Sequence, residues 1–127
     1  MKRDLYSAFA GVLALAPAVL TTTTIGLPVD VSQANGVAFV LTTGAVAGAG
    51  AFGVVVQESA DGVTWADAPA ERVKRPLVPA VLAENTVYRL GYYGKMRFAR
   101  LVLNRAAGNT IAAGAVAVLR PLDRPVP

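Results

Sequence analysis

From Val19 onward, apolar and polar positions alternate in short runs divided by turn residues. Val19–Ile25 contains four consecutive threonines, whose branched side chains favour extended backbone, and Gly26-Leu27-Pro28 ends the run. Gly36–Thr43 predicts a second strand and Ala51–Ser59 a third, with the Gly/Ala run Gly44–Gly50 as the loop between them. In the third strand Phe52, Val54 and Val56 share one face, opposite Gln57. Ser59-Ala60-Asp61-Gly62 predicts a hairpin, because Asp-Gly tolerates the positive φ of tight turns, and the chain returns through Val63-Thr64-Trp65. Pro69, Pro76 and Pro79 make Ala68–Ala83 an irregular or edge segment. Thr86–Tyr93, Lys95–Asn104 and Thr110–Arg120 supply three further strands.

Short strands at this spacing, with turn residues between them, predict an all-β fold: an antiparallel, jelly-roll-like β-sandwich spanning 19–119. Residues 120–127 are a Pro-rich C-terminal tail with little cause to fold alone. Residues 1–18 combine a basic start with an apolar stretch of small residues, a pattern similar to a secretory signal. Asp4 directly after the bases and Pro17 inside the apolar stretch favour an extended N-terminal arm that packs on a partner. The stretch is too short and too Ala-rich for a transmembrane helix, so no membrane contact is expected.

Composition sharpens this. Hydrophobic residues make up 54% and charged residues 16% of the 127, more apolar surface than one small domain hides within itself. Some of that surface is therefore expected to meet another subunit, the alternative being a tightly packed, Ala-rich monomer. With neither cysteine nor histidine, disulfides, thiolate nucleophiles, His-ligated metals and Ser-His-Asp or Cys-His catalysis are excluded. No pair among the eight carboxylates is spaced for acid-base work, so no enzymatic activity, catalytic residue, metal or cofactor is expected. Glycine-rich Gly44–Gly53 lacks the Lys-Ser/Thr of a phosphate-binding loop.

Charge is lopsided: residues 1–71 carry two bases and six acids, and residues 72–127 ten bases and two acids. The bases are scattered singly, without the block or aromatic array of a nucleic-acid face, so no direct nucleic-acid contact is expected and an acidic protein neighbour fits better. In Tyr88–Arg100 aromatics and bases interleave, yet Tyr88, Leu90 and Tyr92 fall on one side and Arg89, Gly91 and Tyr93 on the other. That is a sandwich strand with a basic outer face.

Ser59–Trp65 (SADGVTW) resembles the S-x-D-G-x-T-W turn of some carbohydrate-binding jelly rolls. As a sugar platform, Trp65 would stack on a ring and Asp61 would bind a hydroxyl or a cation; as a structural turn, Trp65 anchors the hairpin. A carbohydrate-binding β-sandwich module is thus the alternative function.

Four features together resemble a family of small virion proteins encoded among the head genes of tailed bacteriophages. They are the opening Met1-Lys2-Arg3-Asp4-Leu5-Tyr6-Ser7, the Glu58-Ser59-x-Asp61-Gly62-x-x-Trp65 turn, the strand pair Gly91-Tyr92-Tyr93-Gly94-Lys95-Met96-Arg97-Phe98-x-Arg100-Leu101-Val102-Leu103, and the ending Arg124-Pro125-Val126. The resemblance implies a capsid decoration or cement protein on the outer surface of the phage head, assembled in the host cytoplasm, with the major capsid protein as its partner. It also implies a homo-oligomer, a dimer or trimer at a capsid symmetry axis, and places the alternative sugar-binding module on a head spike, fibre or tail. Interface candidates are Leu5, Tyr6 and Phe9 of the arm, the basic patch Arg72, Lys74 and Arg75, and Arg124 and Val126 of the tail.

Overall fold

The cleanest alternation in the sequence builds the interior. Phe52, Val54 and Val56 lie on β5 (Ala51–Ser59), and Tyr88, Leu90 and Tyr92 on β8 (Val87–Tyr92); all six side chains are buried. They face each other between two antiparallel sheets in the computed structural model, which describes residues 4–121. One sheet runs β1-β10-β4-β8-β7, formed by Ala10–Leu20, Thr110–Pro121, Ala34–Ala47, β8 and Val73–Lys74. The other runs β2-β9-β5-β6, formed by Thr24–Ile25, Phe98–Ala107, β5 and Ala66–Asp67, with β3 (Val29–Asp30) also on β9. Because β2 and β3 lie along the same side of β9, they act as one strand interrupted at Gly26-Leu27-Pro28. The two orders are then those of a jelly roll, two interleaved Greek keys, with β7 added at one edge.

Phe39, Leu41, Phe52, Leu90, Leu101, Leu103 and Ile111 form the centre of the core. Burying each stabilises the fold by about 1.5–3 kcal/mol. The sheets are also tied through polar groups: Tyr92 donates to Glu58, and Arg72 approaches the same carboxylate at 3.8 Å.

Residues 10–18 belong to the sandwich and are not a separate arm. They form most of β1, which pairs along β10 and sends Ala14 and Leu15 into the core. Two register shifts, between Leu13 and Leu15 and between Leu15 and Ala18, break the alternation, so adjacent residues are both buried. Among the described residues, only 4–9 precede the strand, with a 3-10 turn at Tyr6–Ala8. The threonine run is likewise not one strand but the corner between sheets. There the Thr23 hydroxyl accepts the Arg105 N–H, and the Thr24 hydroxyl donates to the Thr22 carbonyl, replacing ladder bonds.

Gly44–Ala47 continues β4, since Val46 and Ala47 pair with Ile111 and Thr110. The turn narrows to Gly48 and Ala49, both at positive φ. At the other end Arg120 and Pro121 extend β10, and 122–127, with Arg124 and Val126, lie outside the described residues.

The outer edge of β5 is sealed by the irregular 68–82 segment. Its carbonyls at Val56, Val54 and Phe52 accept, in turn, from the Ala68 N–H at 2.9 Å, the Arg75 guanidinium, and the Leu82 N–H at 2.8 Å. A covered edge cannot template pairing with another chain.

Candidate functional site

The outward positions of the five-stranded sheet follow from the register, since residues directly opposite share a face. Leu13 stands beside Val116 and Val116 beside Val40; Val19 stands beside Ala112; Gly11 stands beside Val118 and Val118 beside Ala38. Pro17 covers Gly114, and Val87 continues the surface past Thr42. The middle of this face is apolar and uncovered: Leu13 is 48%, Val19 66%, Val87 62% and Val116 42% exposed. Charge enters only at its margins, as Arg89 and Lys74 on β8 and β7 and Arg120 at the end of β10. Among the described residues, no strand position facing this way carries a carboxylate.

The strand β10 announces such a face in sequence. From Ile111 to Leu119 it has no polar side chain in either parity, so an apolar set points outward as well as inward. Val116 is the surface residue this signal identifies, and the register sets Val40 and Leu13 beside it. They were not among the sequence-based candidates.

Of those candidates, Leu5 and Tyr6 are largely exposed and Phe9 is half-buried, next to the start of β1. Lys74 is exposed on the outer face. Arg72 instead turns toward Glu58, and Arg75 is spent on the Val54 carbonyl, where burial lowers its pKa. The basic patch is thus divided: one cation is available to a partner and two hold the fold.

The Ser59–Trp65 turn is heavily bonded within itself. The Ser59 hydroxyl accepts from the Gly62 N–H at 2.8 Å and donates to Asp61 Oδ1, which also accepts from the Val63 and Thr64 N–H groups at 2.9 Å. The Thr64 and Val63 amides, and then the Ser59 hydroxyl, hold the Asp61 carboxyl below its ordinary range. Gly62 has φ +78°. Trp65 is half-buried, its indole N–H donates to the Gly62 carbonyl at 3.3 Å, and the Arg100 guanidinium lies 4.1 Å from its ring centre. Arg100 is fixed in turn by two bonds to Gln57. One face of the indole is therefore already occupied by a cation of the same chain.

At the interior, burial raises the Tyr92 pKa well above its ordinary value, and its hydrogen bond to Glu58 adds to the shift. Among the described residues, no group of three or more acidic side chains is clustered to hold a metal. No helix among them is long and apolar enough to cross a membrane. No family model matches the chain, and no curated protein matches it.

Proposed function

We propose that this protein is a structural virion component, a capsid decoration or cement protein that docks on a lattice of major capsid protein and stabilises the head. The observation that carries this reading is the apolar outer face of the five-stranded sheet, with Val116 and Val40 at its middle and cations only at its margins. An exposed apolar surface of this kind is costly to leave in water and marks a protein interaction site. The resemblance of the Glu58–Trp65 turn and the Gly91–Leu103 strand pair to small head proteins of tailed phages supplies the identity of the lattice. Repetition suits a weak site: many copies on one shell raise the effective concentration, so each contact need only be modest. Homo-oligomerisation around a capsid symmetry axis, through the exposed Leu5 and Tyr6, belongs to the same reading. The sugar platform receives no support from Trp65, which Arg100 covers on one side.

The test is co-sedimentation with shells assembled from the major capsid protein of the same genome. Wild-type protein is expected to bind to saturation, and Val116→Asp to lose most binding while keeping the wild-type circular dichroism spectrum. Absence of binding by the wild type, or undiminished binding by a folded Val116→Asp, contradicts the proposal.

A further inference from the structure

The edge of the five-stranded sheet at β8 is covered over only part of its length. Lys74 pairs with Gly91 and Val73 with Tyr92, and the Tyr93 N–H donates to the Arg72 carbonyl at 2.8 Å. There β7 ends. The next even position is Pro76, which has no N–H to offer across from Arg89, and the Arg75 side chain has turned away to the Val54 carbonyl.

The ladder on the opposite side of β8 shows which amides are left over. Thr43 N–H donates to the Thr86 carbonyl, so along β4–β8 the even residues Tyr88 and Leu90 point their backbone groups at β4. The N–H and C=O of Val87 and Arg89 therefore point away from β4, along the line that β7 vacates, and no backbone partner within the described residues meets them.

A groove of about 370 Å³ runs along this stretch, lined by Ala38, Lys74, Leu77, Val87 and Arg89, with Gly91 at one end. Leu77 is 81% exposed and Val87 62% exposed, so its walls are apolar and wet. Lys74 and Arg89 make no ion pair or side-chain hydrogen bond with any described residue; the two ion pairs present there join Arg72 to Glu58 and Arg97 to Asp30. At Gly91, the last position β7 covers, a methyl group would meet Lys74 Cβ at 3.5 Å and the Tyr93 hydroxyl at 3.6 Å. Lys74 and Arg89 thus flank the point at which the strand edge opens.

We infer that this edge binds an extended acidic segment of another protein by strand addition, antiparallel to β8. Main-chain bonds form to Val87 and Arg89, an apolar side chain settles between Leu77 and Val87, and a carboxylate lies between Lys74 and Arg89. Strand addition takes affinity from main-chain bonds and specificity from the pockets for alternate side chains. Val87, Arg89 and Lys74 share the outer face, so the cations select for an acidic residue and the groove for an apolar one two positions away on the same face of the added strand. The opposite edge does not compete. On β1 the Ala14 carbonyl already accepts the Leu27 N–H at 2.8 Å, and Pro17 and two register shifts interrupt the strand. The site does not depend on the lattice reading, because it concerns a short segment whatever protein carries it.

The probe is a fluorescein-labelled hexapeptide, Val-Thr-Glu-Thr-Val-Thr, whose valines and glutamate share one face of a strand, titrated at low salt against the full chain and followed by anisotropy. Amide hydrogen exchange is read by NMR on the saturated complex. Saturable binding is expected, with exchange slowed at Val87 and Arg89, and binding weakened about tenfold or more by K74E/R89E. Both substitutions fall on exposed positions, and an unchanged spectrum confirms that the variant is folded. The same peptide with lysine in place of glutamate is expected not to bind. Failure of the glutamate peptide to bind at millimolar concentration, equal binding by the folded variant, or slowed exchange at β1 instead of β8 each overturns the inference.

Discussion

The Tyr92 hydroxyl donates a 2.7 Å hydrogen bond to the Glu58 carboxylate, and that bond crosses from one sheet of the sandwich to the other. Both residues are buried, so neither can exchange its partner for water at small cost. Tyr92→Phe keeps the ring and removes the donor, leaving the Glu58 oxygen short of a partner. A loss of about 1–3 kcal/mol is expected in chemical denaturation.

The same pair predicts a pH effect at the alkaline end. The folded state holds the Tyr92 proton above the ordinary tyrosine value of 10.0, whereas the unfolded chain releases it there. The contribution is full below that value and falls as pH rises past it, by about 1.4 kcal/mol per unit. Wild-type stability is expected to decline more steeply than that of Tyr92→Phe above pH 10.0, and parallel curves would dismiss the linkage.

Asp61 and Gly62 make opposite demands on the turn that returns β5 to β6. Gly62 sits at φ +78°, so Gly62→Val places a branched side chain in a left-handed conformation and is expected to cost about 1–2 kcal/mol, read as a lower Tm. Asp61 works through its charge. Its carboxyl is held below the ordinary value of 3.8, so its contribution is present above that pH and is lost as pH falls through the lowered folded value. Asp61→Asn is expected to flatten the acid limb of the stability curve, leaving the neutral-to-alkaline limb with the same shape.

Truncation separates arm from strand. Removing residues 1–9 deletes Leu5 and Tyr6, which are exposed, and is expected to leave a folded domain with weaker self-association. Removing 1–20 instead strips β1 from β10 and takes Leu15 and Leu20 out of the core, at about 1.5–3 kcal/mol each. That variant is expected to be unfolded or aggregated at 25 °C. A soluble, cooperatively melting 21–127 fragment would show β1 to be dispensable.

These results mark where local sequence carries structural information. Ala51–Ser59 was legible to the residue because Phe52, Val54 and Val56 fall on one face, with Gly53 and Gln57 on the other. Asp61-Gly62 was legible because a positive φ needs a residue that tolerates it. Residues 10–18 were not legible: alanines, Pro17 and two bulges erase the two-residue period, and the strand exists because β10, ninety and more positions away, supplies its ladder. The same holds for Gly44–Ala47, loop-like by composition yet held extended by Thr110 and Ile111. Excess apolar composition predicted exposed apolar surface without locating it. Its position depends on which parity of β10 and β4 faces outward, a property of the pairing.

The most direct measurement of the docking claim is attachment to shells of the major capsid protein as a function of salt. Between 0.1 and 1 M salt the screening length contracts from about 10 Å to about 3 Å, which silences the marginal cations Lys74, Arg89 and Arg120 but not apolar contact. Partial weakening is expected for the wild type, with a residue of binding at 1 M salt that Leu13→Asp or Val116→Asp abolishes. Complete release of the wild type at moderate salt would contradict an apolar docking face and assign the attachment to charge alone.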